Sequence, residues 1–192
     1  MAEKQIVVSS LAKEVGLSTM LVLRPKATDM FEISLQQCGA PQNNDIYICD
    51  MNGIEDCSGS FVDEFILKWL KRIRNTDNTL FVLKNVNEDV LYTITSALNL
   101  RNKLDMDSMV LLLFQNGEYQ AISDKLEKNV REVFDLMRNG KKVTARLISD
   151  KFSIELNSAG NRLKKLYDAH LAMRLEQSVE NGGKFEYYLP LI

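Results

Sequence analysis

Histidine, cysteine and proline are scarce in this chain, which has 1 His, 3 Cys and 3 Pro among 192 residues. Because His170 is the only histidine and no nucleophile motif lies near it, a catalytic triad with a histidine base is not expected. Cys38, Cys49 and Cys57 form no C-x-x-C pair, which argues against both a zinc site and a disulfide framework. A glycine-rich phosphate loop is also missing. We therefore expect a protein that is not an enzyme and that holds no cofactor or metal.

Long apolar runs are absent as well. The longest extends from Met109 to Phe114 and is far too short to cross a bilayer. The first ten residues, MAEKQIVVSS, lack the basic region and apolar stretch of a signal peptide. We expect a soluble, cytoplasmic protein without a membrane partner.

Charge is unevenly distributed along the chain, although the formal net charge is only −2. From Gln120 to the end there are 13 Lys and Arg against 10 Asp and Glu, whereas the preceding residues have 11 against 16. An acidic part joined to a mildly basic part indicates two domains with different partners. We place the domains at residues 1–122 and 123–192.

The first part alternates between strand and helix patterns. Strands are predicted at Ile6–Val8, Asp45–Cys49 and Thr79–Leu83, and helices at Lys26–Gln37, Ser60–Arg74 and Asp89–Leu100. Within the second helix, Ser60 and Asp63 resemble a capping box. Two further strands between Met109 and Ile122 flank Asn116-Gly117, a strong hairpin signal. This order predicts an α/β domain in which helices cover a small sheet.

The second part predicts three helices followed by a hairpin. An amphipathic first helix stops at Asn139-Gly140, and Thr144 is placed to cap a short second helix, Ala145–Phe152. A third helix runs from about Leu156 to Ala169. We expect its inward face to carry five residues, Leu156, Ala159, Leu163, Leu166 and Tyr167. The hairpin strands are predicted at Leu171–Gln177 and Lys184–Leu189, so this part is also α/β.

The stretch VTARLISDKFSIELNSAGNRLKKLYDAHLAMRLE resembles the core of bacterial winged helix-turn-helix regulators. The resemblance implies that the third helix enters the DNA major groove and that the hairpin is the wing. The candidate DNA-binding residues are Asn157, Ser158, Asn161, Arg162, Lys164, Lys165 and Lys184. Asn and Arg can read base edges, whereas Lys mostly meets phosphate. Glu155 and Glu180 oppose this interpretation because they stand where a DNA backbone would pass.

The segment DIYICDMNGIEDCSGSFVDEFILKWLKRI resembles the sulfate-transporter and anti-sigma-antagonist (STAS) fold, as a strand, an Asp-x-Ser-Gly loop and a helix. The resemblance implies an N-terminal STAS-like βα sandwich that receives a signal or docks a partner protein. It also makes Ser58 a candidate phosphorylation site, because a helix N-terminus favours an added phosphate. Asp56, Asp63 and Glu64 would repel that phosphate. The alternative role of Ser58 is only to cap the following helix.

Two functions remain open. The first is a DNA-binding transcriptional regulator that acts as a homodimer, with the STAS-like domain for input and the winged helix for an operator. The alternative is a protein-interaction adaptor, or an anti-sigma-antagonist-type switch, in which neither domain contacts DNA. Winged helices also serve as protein-binding modules, so the fold alone does not choose between the two.

Overall fold

The computed structural model describes residues 1–105, 108–177 and 184–192, and it shows a mixed α/β fold with a mixed sheet. The first part contains β1 (Glu3–Val7), α1 (Val8–Glu14), β2 (Met20–Leu21), α2 (Arg24–Cys38), β3 (Ile46–Asp50) and β4 (Asp56–Cys57). It continues with α3 (Gly59–Phe61), a π-helical turn (Val62–Ile66), α4 (Leu67–Ile73), β5 (Leu80–Lys84), α5 (Glu88–Leu104), β6 (Leu111–Gln115) and β7 (Glu118–Ile122). The second part contains α6 (Lys128–Met137), β8 (Val143–Thr144), α7 (Ala145–Phe152), α8 (Leu156–Asp168), β9 (Met173–Glu176) and β10 (Phe185–Tyr188).

The five-stranded sheet has the order β1-β3-β5-β6-β7, with the first four strands parallel and β7 antiparallel. Each connection between two parallel strands leads to the next strand on the same side of the sheet. Because such crossovers are right-handed, the connecting helices fall on the same face. Residues of α1 to α5 accordingly share one apolar core with alternate strand residues such as Tyr47, Phe81 and Leu113. At the centre of this core, Trp69 is fully buried and donates a hydrogen bond to Ser34.

The second face of this sheet is covered by the second part of the chain. Ile48, Val82 and Leu112 belong to the same buried cluster as Phe134 of α6 and Leu163 of α8. Because both faces of the sheet are buried, the sequences of β3 and β5 are almost continuously apolar. The shared core extends across the predicted boundary after residue 122. The division into two domains stays a prediction.

The second part begins with α6 and places a small three-stranded sheet of order β8-β10-β9 beside its helices. Thr144 caps α7 as predicted, since its hydroxyl accepts a hydrogen bond from the Leu147 amide at 3.2 Å. Ser153 then adopts φ 52°, a left-handed conformation that ends α7 and turns the chain into α8. The short strand β8 between α6 and α7 was not predicted from the sequence.

Two local predictions were wrong. Leu156 was placed on the inward face of α8, but its side chain is 43% exposed because it lies in the first turn, beyond the core. The capping box of Ser60 and Asp63 does not form. Instead, the Ser58 hydroxyl caps the helix by accepting from the Phe61 amide, and Asp63 turns to Arg101.

Among the described residues, none of the helices is both long enough and apolar enough to cross a membrane.

Candidate nucleic-acid interface

The face of α8 that points away from the core carries most of the predicted DNA-binding residues. Ala159, Leu163 and Leu166 are buried and hold the helix on the cluster it shares with the sheet. At 3.6 residues per turn, Asn157, Asn161 and Lys164 then lie along the opposite side. All three are exposed. The structure therefore brings two amides and a cation into one line, which could meet base edges and phosphate together.

Three other predicted residues flank this line. Ser158 is exposed on the side of α8 towards Lys165. Arg162 is half-buried, and its guanidinium lies 5.7 Å from the centre of the Phe152 ring in α7. Lys165 forms an ion pair of 2.6 Å with Glu127, at the start of α6. Because this pair is exposed, a phosphate could replace its carboxylate at little cost.

A groove of about 630 Å³ runs between α8 and the β9–β10 hairpin. Its walls include Gly160, Asn161 and Lys164 on the helix, and Arg174 and Phe185 on the hairpin. A Cβ added at Gly160 would meet no atom within 4 Å, so the backbone of α8 is open to the groove at this point. The glycine that interrupts the helix thus lies where a ligand can approach closely.

Arg174 was not identified from the sequence as a binding residue. Its guanidinium carbon lies 3.9 Å from the centre of the Tyr167 ring and 4.3 Å from that of Phe185. Stacking between two rings fixes the direction of the cation before any ligand arrives. In the sequence, Arg174 is only one charged residue within a predicted strand, two positions before Glu176, and nothing in that pattern marks it as a binding residue. The rings that orient it belong to two other elements, α8 and β10.

The remaining cation of the predicted set lies in the hairpin. Lys184 is 67% exposed and forms an ion pair of 3.5 Å with Glu176 of the neighbouring strand. Glu155 is the exposed N-cap residue of α8, so its negative charge lies at the end of the helix that would face DNA. Glu180 and the predicted loop Asn181-Gly182-Gly183 lie outside the described residues.

Polar contacts attach the segment from the last turn of α8 to β9 to the first part of the chain. The Nδ1 atom of His170 lies 2.9 Å from the Thr79 carbonyl oxygen, so this nitrogen carries the proton and donates. The Arg174 amide donates to Asn78 at 2.7 Å. The Tyr167 hydroxyl donates to Asp77 at 3.5 Å. These contacts lie at the end of α8 opposite Asn157 and leave the outward side chains Asn157 and Asn161 exposed.

No family model, curated protein or solved structure matches the chain. The winged-helix and STAS-like resemblances therefore stay predictions. What the structure adds is the placement of individual side chains, both on α8 and at the Ser58 loop.

The Ser58 loop lies between β4 and α3, at the N-terminus of a helical stretch that continues to Ile73. The Ser58 hydroxyl contacts the Ser60 hydroxyl at 2.9 Å, and the Ser58 amide donates to the Leu21 carbonyl. Ser58 is half-buried, whereas its neighbours Gly59, Val22 and Leu23 are exposed. Ser58 therefore caps the helix while remaining partly exposed.

The carboxylates that were expected to repel a phosphate at Ser58 are largely neutralised. The Arg101 guanidinium donates two hydrogen bonds to Asp63, at 2.8 and 2.6 Å, and holds the pKa of that carboxyl below its ordinary value. Lys68 does the same for the pKa of Glu64 from 2.7 Å, and Arg24 contacts both carboxylates. Of the three carboxylates, Asp56 differs: it is exposed, accepts a hydrogen bond from the Cys57 amide, and forms no ion pair with the part of the chain that the structure describes.

The three cysteines lie in the interior of the first part. Burial raises the pKa of the Cys57 thiol to about 12 and also raises that of Cys49, so neither thiol is a ready nucleophile. Within residues 1–105, 108–177 and 184–192, no group of three or more His, Cys, Asp and Glu side chains is placed to hold a metal ion.

Proposed function

We propose that the chain is a DNA-binding transcriptional regulator, in which residues 123–192 form a winged helix-turn-helix domain. The order α6, β8, α7, α8, β9, β10, with β8 paired to the hairpin, supports this assignment. In such a domain the third helix reads the major groove and the hairpin contacts the backbone. The observation that carries the proposal is the exposed line of Asn157, Asn161 and Lys164 beside the groove that holds Arg174.

Each residue of this surface has a chemical role in the proposal. Asn157 and Asn161 each offer one acceptor and two donor hydrogens, the pattern that pairs with adenine in the major groove. Lys164 and Arg174 supply positive charge to phosphates on either side of the groove. Lys164 is shared with Asp168 in the free protein, in an exposed pair that contributes little to stability. When DNA binds, Lys164 can therefore exchange the Asp168 carboxylate for a phosphate with little loss of free energy.

The test is a selection of bound fragments from a DNA library at about 150 mM salt, a physiological ionic strength. We expect a defined sequence to be enriched. The affinity for that sequence is then compared with the affinity for a scrambled duplex. Enrichment of no sequence, with equal weak binding to both duplexes, would favour the adaptor function, in which neither part of the chain reads DNA.

A variant of α8 tests whether binding depends on a cation at this position or on the net charge of the protein. Lys164→Ala should weaken binding to both duplexes and reduce the salt slope by about 1. Lys13→Ala removes an exposed cation from α1 and serves as the matched control. A loss in the control equal to that in Lys164→Ala would mean that binding depends on net charge alone.

We further propose that residues 1–122, as a STAS-like domain, dock a partner protein at the Ser58 loop. Support comes from the exposed apolar side chains of Val22 and Leu23 beside this loop, and from the neutralised carboxylates that leave room for a phosphate. Mass spectrometry of the protein from its native cell tests the modification. Repeated absence of phosphate on Ser58 across growth conditions would reject it.

A further inference from the structure

Helix α5 exposes large apolar side chains that nothing in the described chain covers. Tyr92 is 76% exposed, Leu100 56% and Leu104 64%, and these are among the most exposed large apolar side chains of the protein. The opposite side of α5 is buried through Val90, Ile94 and Leu98. The three exposed residues are therefore not an extension of the core, and they form a contiguous patch with Ala97 and Ser96 along one groove.

The outermost line of α5 has a symmetric order. It consists of Asp89, Tyr92, Ser96, Leu100 and Lys103, all of which are exposed. The spacings are 3, 4, 4 and 3 residues, so the line has the same spacing from either end, with Ser96 at its centre. One end carries a carboxylate and the other an ammonium group. Among the described residues, neither Asp89 nor Lys103 forms an ion pair within the chain.

We infer that this face of α5 is the interface between two copies of the chain, which pair through antiparallel α5 helices about a two-fold axis at Ser96. In a two-fold interface, each residue contacts the partner residue that mirrors it. Asp89 then meets the partner's Lys103, and Tyr92 meets the partner's Leu100. The two Ser96 side chains face each other and are small enough to let the helices approach closely. A parallel pair would instead place Asp89 against Asp89 and Lys103 against Lys103.

This dimer leaves the proposed DNA-binding surface free. Helix α5 packs on the face of the sheet that α1 to α4 share, whereas α8 packs on the opposite face. The contact is a helix pair about 25 Å long, which is small for a permanent dimer. We therefore expect association in the micromolar range, with a clear dependence on protein concentration.

Charge exchange tests the antiparallel arrangement. In sedimentation velocity on the full chain, Asp89→Lys and Lys103→Asp should each raise the dimer dissociation constant by about tenfold, because each places like charges opposite one another. The double variant D89K/K103D should regain wild-type association. An equimolar mixture of the two single variants should form heterodimers, since each copy then meets an opposite charge. Loss of association in both the double variant and the mixture would overturn the antiparallel pairing.

A crosslink tests the position of the axis. Ser96→Cys should form a disulfide-linked dimer under mild oxidation, because the two residues meet at the axis, and the native cysteines are buried. Ser10→Cys, exposed on α1, is the control and should remain monomeric in denaturing gels. Leu100→Glu should abolish dimers while leaving the circular dichroism spectrum unchanged. A wild-type chain that stays monomeric at about 100 µM, or dimers that survive Leu100→Glu, would reject the interface.

Discussion

The guanidinium carbon of Arg174 lies 3.9 Å from the centre of the Tyr167 ring, which couples the hairpin directly to the last turn of α8. A guanidinium held against a ring keeps its direction, and Arg174 lines the same groove as Lys164. The hairpin therefore presents its cation in a fixed relation to the helix that would read bases.

Replacing Arg174 should affect DNA binding through both charge and direction. Arg174→Ala should weaken binding to all duplexes and reduce the salt slope by about 1, because one phosphate contact is lost. Arg174→Lys should keep the slope but recover only part of the affinity, since an ammonium group does not stack as a planar guanidinium does. Fluorescence anisotropy at several salt concentrations measures both quantities. Full affinity in Arg174→Ala would place DNA elsewhere on the surface.

Substitution of Gly160 should raise the stability of the protein and lower its affinity for DNA. Gly160→Ala introduces a methyl group into open space within a helix, so the free energy of unfolding should rise by about 1 kcal/mol. The same methyl group projects beside the groove and should weaken DNA binding. Gly59→Ala, at another glycine with open space, is the control and should leave DNA binding unchanged. Urea denaturation and anisotropy give the two values, and tighter binding by Gly160→Ala would contradict a close approach of DNA there.

The stability of the protein should depend on pH through Asp63. Its pKa is lower in the folded chain than the ordinary value of 3.8, so its stabilising contribution is present above that value. The contribution is lost as the pH falls through the folded pKa. Arg101→Ala removes the main cause of the shift, and the loss of stability between about pH 5 and pH 3 should become shallower. Urea denaturation across this range is the measurement, and an unchanged pH profile in Arg101→Ala would show that Arg101 does not set the pKa.

Substitutions at Ser58 separate its capping role from its proposed modification. Ser58→Ala should lower the free energy of unfolding by about 1 kcal/mol, because the Phe61 amide loses its acceptor. Ser58→Asp should retain wild-type stability, since aspartate is an equally good cap and its charge suits a helix N-terminus. Ser10→Ala, at an exposed residue of α1, provides the comparison in urea denaturation. A loss of stability in Ser58→Asp as large as in Ser58→Ala would show that the loop does not tolerate a negative charge.

Local signals in the sequence predicted much of the fold. Asn116 and Gly117 both adopt positive φ, 55° and 80°, as the hairpin turn requires. Thr144 caps α7, and the predicted range of that helix agrees with the structure. In each case the deciding interaction joins residues only a few positions apart, so a short pattern contains the whole signal.

Interactions between distant residues could not be predicted in this way. Lys165 pairs with Glu127, 38 residues earlier, and Arg174 depends on rings in two other elements. The two-residue strands β2 and β4 pair with each other but are too short to show any periodicity. The apolar character of β3 and β5 was visible in the sequence, yet what covers their second face followed only from the structure.

The most direct test of DNA reading by α8 is the binding of Asn157→Ala/Asn161→Ala to the selected sequence and to its scrambled form, each titrated with salt. We predict that the double variant binds both duplexes equally and keeps the wild-type salt slope, because it retains the cations and loses only the amides that pair with bases. A double variant that still prefers the selected sequence as strongly as the wild-type chain does would contradict the proposal.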